Sequence, residues 1–134
     1  MAARYFTAEE ANEALAVVRP LAEEMVERRR ALSELQERHA GFTQMIAGNG
    51  GDFDSGELRQ IEDDLAEGAT AVARCVARIN EVGAFVKDLD HGLVDFPARR
   101  AGEDVLLCWR VGEDEVAYWH GLDEGFSGRK PLPL

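Results

Sequence analysis

At "NEVGAFVKD", Asn80 to Asp88, the spacing of apolar residues changes from helical to alternating, and this switch divides the chain into two architectures. Upstream, "TAEE" from Thr7 to Glu10 fits a capping box, in which the Thr7 hydroxyl and the Glu10 carboxylate each satisfy the other residue's backbone N–H. A helix is predicted to start there. Its apolar positions run Ala11, Ala14, Val18, Leu21, Met25, Leu32, Leu35, Phe42 and Ile46, spaced mostly by three and four and interrupted by Arg28 and His39. Pro20 lies off that seam but removes one backbone hydrogen bond, so a distortion near Ala16 to Pro20 is expected. "GNGGDFDSGE" stops the pattern, and Asp54 or Ser55 then offers an N-cap for a second helix. Leu58, Ile61, Leu65, Val72, Val76, Ile79 and Val82 repeat the spacing until Gly83 supplies a C-terminal cap. The result expected over residues 7–83 is a long antiparallel helical hairpin with coiled-coil spacing. Gly68 is tolerable in mid-helix where another backbone packs closely.

Downstream, short alternating runs are cut by "DHG", "RRAGED" and "GEDE", the punctuation of an antiparallel meander. Three or four strands are expected, at about Phe85 to Asp88, Val94 to Arg99, Asp104 to Val111 and Glu115 to His120. Pro97 cannot donate to a ladder, which predicts an edge or a bulge. The tail "GFSGRKPLPL" is too rich in glycine and proline for regular structure. The expectation is therefore one α+β domain over residues 1–134: the helical hairpin, then a three- to four-stranded antiparallel β-meander and an irregular tail over residues 84–134.

A chain of 134 residues buries enough surface to fold without a metal or disulfide. Its net charge of -11 repels phosphate backbones, so no nucleic-acid partner is expected; the run "ERRR" at Glu27 to Arg30 reads as a solvated helix face. No apolar run is long enough to span a membrane and no leader pattern is present, which predicts a cytoplasmic protein with no membrane partner. Cys75 and Cys108 lie far apart and read as buried thiols.

Strand alternation sets Val105, Leu107, Trp109 and Val111 on one face and Leu106, Cys108 and Arg110 on the other. Both faces are substantially apolar. The hairpin covers one side, leaving the other to the tail around Phe126 or to a second subunit, and a homodimer is the expected solution, with the helices contributing to its interface. In the next strand, Tyr118 and His120 share a face opposite Trp119.

A polar constellation accompanies this sheet: Asp88, Asp90, His91, Asp95, Arg99, Arg110, His120, Asp123 and Arg129. Of these, Asp95, Arg99, Arg110, His120, Asp123 and Arg129 are the candidate ligand-binding residues. Carboxylates beside a histidine suit acid–base work, and arginines clamp carboxylate or phosphate. Asp88, Asp90 and His91 read as turn residues ahead of Gly92. His120 is expected to be satisfied by a neighbouring carbonyl or by Asp123. No spacing matches HExxH, a P-loop, GxSxG or an EF-hand, and three scattered histidines with two distant cysteines lack a closed zinc pattern. Neither a metal nor a cofactor is therefore expected, and no residue is assigned as catalytic.

The segments "YFTAEEAN", "VKDLDHGLVDFPA", "LCWRVGEDEVAYWH" and "GFSGRKPL" span the chain and together resemble the uncharacterised prokaryotic family called domain of unknown function 2203. That resemblance implies no activity or cofactor. It places emphasis on Asp95, Phe96, Pro97, Cys108, Trp109, Trp119, His120, Gly125, Phe126 and Arg129, with Tyr118 standing where phenylalanine is expected. Two readings follow. One is a small dimeric interaction or scaffold module. The other is a small-ligand-binding protein or enzyme with a polar pocket at the sheet, built from His120, Asp123, Asp95 and nearby arginines.

Overall fold

The computed structural model describes residues 4–48 and 53–134. Helix α1 spans Ala8–Gly48 and α2 spans Ser55–Val82; they pack together ahead of strands β1 (Phe85–Asp88), β2 (Leu93–Arg100), β3 (Glu103–Arg110), β4 (Tyr118–Gly121) and β5 (Lys130–Pro131). The strands form one antiparallel sheet in the order β1-β2-β3-β4-β5, a meander without crossovers. This is the expected α+β arrangement with one further strand.

Local chemistry sets the helix ends. The capping box is reciprocal: the Glu10 amide donates to Thr7 Oγ1 at 3.0 Å and the Thr7 amide to Glu10 Oε1 at 2.9 Å. Asp54 caps α2 by accepting from the Gly56 and Glu57 amides, and Gly83 ends it in the left-handed region at φ 108°. Helix α1 runs continuously through Pro20. Its buried stripe is Ala11, Leu15, Val18, Ala22, Met25 and Leu32. Leu15 and Ala22 replace the expected Ala14 and Leu21 because this half of α1 packs on the sheet as well as on α2, which turns the buried face away from a two-helix seam. Beyond Leu32, Leu35, Phe42 and Ile46 are half-buried, and Phe42 meets Phe53 edge-on just ahead of α2. At Gly68 the close neighbour is a side chain, Leu32 Cδ1, 3.3 Å from where a Cβ would sit.

The sheet's inner face carries Val94, Phe96, Ala98, Val105, Leu107 and Trp109, all buried against the helices. Gly92 precedes β2 at φ 66°, and a Cβ there would collide with Val111 and Val26 side chains, so this turn needs glycine. Pro97 sits in an internal strand rather than at a sheet edge. Strand β1 ends at the Phe85↔Asp95 pair, however, so Pro97 faces no β1 residue, and its carbonyl accepts from the Phe6 amide at 2.7 Å.

Strands β2 and β3 fall within one residue of expectation, whereas the start of β4 and the tail differ more, each for its own physical reason. Strand β4 starts at Tyr118 rather than Glu115 because side chains capture the backbone before it. Asn12 bonds both the amide and the carbonyl of Val116, and Arg19 donates to the Glu113 and Asp114 carbonyls, so these groups are withdrawn from the ladder. The tail is regular where irregularity was expected: Phe126–Gly128 forms a 3-10 turn, and β5 follows because the Leu132 amide reaches the Ala117 carbonyl. That tail lies against the sheet's outer face. Among the described residues no helix is long and apolar enough to cross a membrane.

Candidate functional site

Sheet register builds the site. Asp95 on β2 stands directly opposite Cys108 on β3, and His120 on β4 stands opposite Leu106, one diagonal step from Cys108. All three side chains therefore project from the outer face. They are nearly sealed, with residue exposures of 2% for Asp95, 0% for Cys108 and 3% for His120. One donor atom from each lies within 4.8 Å of the other two.

The histidine is oriented from both ends. Nδ1 lies 2.8 Å from the Gly121 carbonyl oxygen, which can only accept, so Nδ1 carries a proton. Nε2 faces Asp95 Oδ1 at 3.3 Å. A ring lone pair and a carboxylate cannot bond to each other, so a hydrogen bond between the two needs a proton on Nε2 or on Asp95. Burial pushes the Asp95 carboxyl up, opposed by the attraction of His120. Burial and the neighbouring Asp95 push the Cys108 thiol up to about 12, which makes it a thiol and no nucleophile.

A cavity of about 190 Å³ opens beside this cluster, with Asp95 and His120 on its floor and Leu93, Leu106, Leu122 and Phe126 among its walls. Lys87 and Glu124 stand at its rim. The Glu124 carboxylate is neutralised by Lys130 at 2.6 Å and accepts from the Gly121 amide at 2.8 Å; the lysine first and the amide second hold its pKa below the usual range. A second hollow of about 230 Å³ shares Leu93 and Phe126 with the first and adds Asp88, His91 and Arg110. Among the described residues neither Lys87 nor Arg110 enters an ion pair.

The candidate residues divide accordingly. Asp95, His120 and Arg110 come together around the paired cavities. Arg129 does not line them: it folds behind β3, donating to the Cys108 carbonyl at 3.2 Å and to both Glu113 oxygens at 2.7 and 2.8 Å, with its guanidinium 4.1 Å from the Tyr118 ring centroid. Its role is to lock the tail onto the sheet. Arg99 lies at the far end of β2, against Tyr5 and Asp104. Asp123 is exposed in the turn after β4 and lines neither cavity, so His120 takes the Gly121 carbonyl and Asp95 as partners. Asp88 and His91 behave as turn residues, Asp88 Oδ1 accepting from the Asp90 and His91 amides, while Asp90 pairs with Arg29 of α1. Sequence reasoning missed Lys87, Leu93, Leu122 and Phe126 as lining groups and Cys108 as a partner of Asp95. The expected strand faces already put Cys108 on the side of Arg110; only the β2–β3 register shows which β2 residue it meets.

A family model described as Uncharacterized conserved protein (DUF2203) matches residues 4–132. No curated protein and no solved structure matches the chain.

Proposed function

We propose, for a chain that belongs to the family Uncharacterized conserved protein (DUF2203), that it binds a small organic anion on the outer face of its sheet. The observation that carries this reading is a pair of cations, Lys87 and Arg110, that enter no ion pair among the described residues and line adjoining hollows walled in part by Leu93 and Phe126, in a protein of net charge -11. In so acidic a chain, cations left out of ion pairs beside apolar walls suit an acid with a hydrophobic body. Leu93 and Phe126 wall both hollows and supply the surface for that body, while Asp95 and His120 offer polar contacts at the floor. Lys130 and His91 pair with two of the carboxylates at these hollows, Glu124 and Asp88, and so reduce their repulsion of an anion.

The test is an NMR titration of the metal-free protein with benzoate, its neutral counterpart benzamide, and inorganic phosphate. Benzoate is expected to shift the Arg110, Phe126 and His120 resonances saturably, and Arg110→Gln to weaken it about tenfold, the worth of one charge-assisted hydrogen bond. Equal effects of benzoate and benzamide, or an unchanged affinity in Arg110→Gln, would overturn the reading.

A second reading, a homodimeric interaction module, draws on the helices. Val17, 53% exposed, lines a groove of about 440 Å³ with Pro20, Leu21 and Val82, flanked by Arg78 and Glu81, a mainly apolar strip suited to a second copy of the hairpin.

A further inference from the structure

We infer that Asp95, Cys108 and His120 form a binding site for one zinc-class divalent cation, with a fourth coordination position open toward the cavity they adjoin. The inference goes beyond anion binding: that reading rests on the cations Lys87 and Arg110, with Asp95 and His120 as accessory contacts, whereas a metal would be held by the donor atoms of Asp95, Cys108 and His120 themselves. The expectation of no zinc rested on sequence spacing, which detects ligands supplied by one loop or helix. Here three strands supply one donor each, so no short motif exists to detect.

Four observations converge. The first is distance: Nε2 and Oδ1 are 3.3 Å apart. Charge-assisted N–H···O bonds run shorter, at about 2.7–2.9 Å. Two ligands of a tetrahedral zinc, each about 2.0–2.2 Å from the metal, stand about 3.4 Å apart. The second is orientation, because Nδ1 is anchored on the Gly121 carbonyl at 2.8 Å and this leaves Nε2 as the free donor, the outer-shell arrangement that metal-bound histidines use. The third is charge. A thiolate and a carboxylate cancel a divalent ion, so the occupied site buries no net charge, whereas the empty one buries a costly polar pair. The fourth is access: Asp95 and His120 line the cavity wall, leaving room for water or a ligand oxygen to complete four-coordination. The thiolate makes the site selective for zinc over magnesium or calcium, which take oxygen donors.

On metal uptake the Cys108 S–H bond breaks as the sulfur–metal bond forms, its proton passing to solvent. Any proton bridging Nε2 and Asp95 leaves in the same way. No electron is transferred.

The experiment uses the full chain, stripped with a chelator and titrated with Co²⁺ as a spectroscopic stand-in. One Co²⁺ per chain is expected, with an intense near-ultraviolet thiolate-to-metal band and visible bands of tetrahedral strength, both abolished by one equivalent of Zn²⁺. Cys108→Ser should remove the thiolate band and His120→Ala should weaken binding by at least about 100-fold, more than an outer-shell loss costs. Cys75→Ser, a thiol bonded to Glu24 between the helices, should leave the spectrum unchanged. A wild-type titration without a saturable thiolate band overturns the inference whatever the variants do, as does a band that survives Cys108→Ser or vanishes in Cys75→Ser. Because the benzoate titration is run on metal-free protein, failure of one proposal leaves the other standing.

Discussion

Asp95 is the residue at which charge and burial conflict most. Its carboxyl is nearly sealed, and burial raises its pKa in the folded chain above its value in the unfolded one. At pH below the ordinary carboxyl range, near 3.9, both states are protonated and the group costs nothing. As pH rises, the unfolded chain ionises first, so stability is lost progressively until the raised folded pKa is passed. Asp95→Asn removes that titration while its amide still donates to His120 Nε2. In metal-free protein, the melting temperature of Asp95→Asn minus that of wild type should therefore grow as pH is raised from about 4 toward 7. Thermal unfolding across that range checks it, and a pH-independent difference would show that Asp95 is no more costly folded than unfolded. Cys108 illustrates a different residue-scale lesson: as an alternating strand position it reads as a small buried hydrophobe, and only its Asp95 neighbour gives it chemistry.

Among the elements, the β3–β4 connection is held both from α1 and from the end of β3. Asn12 on α1 accepts from the Val116 amide at 2.7 Å and donates to its carbonyl at 3.3 Å. The Trp109 indole donates to the Glu113 carbonyl at 3.0 Å, and Glu113 in turn accepts from the Arg110 amide at 2.7 Å. Asn12→Ala leaves a backbone N–H and C=O without partners beside a buried Val116, and should cost about 1–3 kcal/mol. Denaturant unfolding measures the loss, and faster amide exchange at Val116 localises it; a cost below about 0.5 kcal/mol would mean that water replaces both bonds. The helix ends are the opposite case. Thr7, Glu10, Asp54 and Gly83 act within four residues of themselves, which is why their roles are legible from "TAEE", "DSGE" and "EVGA".

For the whole molecule, the outer face is the deciding surface. The tail covers part of it through Phe126, Arg129 and β5, and the proposed homodimer draws instead on the apolar groove of the helical hairpin. Light scattering at micromolar concentration should report twice the 14.8 kDa chain mass, falling to one chain mass in Val17→Asp/Leu21→Asp. A concentration-independent monomer in wild type would remove the dimer. Truncation after Gly125 provides the matching measurement on the other face, since it strips Arg129 from Cys108 and Glu113 and uncovers Leu106, Tyr118 and the site. Aggregation or a lower melting temperature is expected; an unchanged monodisperse species would show that the tail only decorates the sheet.

Short-range physics made the two capped helices, the switch to alternation after Gly83 and the strand faces that divide Trp109 and Trp119 from Cys108 and His120 legible in residue order alone, whereas the buried stripe of α1 moved to Leu15 and Ala22 under the sheet. Periodicity and capping act over one or two turns, so they survive without knowledge of the fold. Tertiary structure alone decided the register that sets Asp95 beside Cys108 and His120, the capture of residues 113–116 by α1, and the return of the tail as β5. Each depends on which residues meet across a sheet or between layers. A shift of one residue in β2–β3 pairing would turn Asp95 to the other face, and with it dissolve the site.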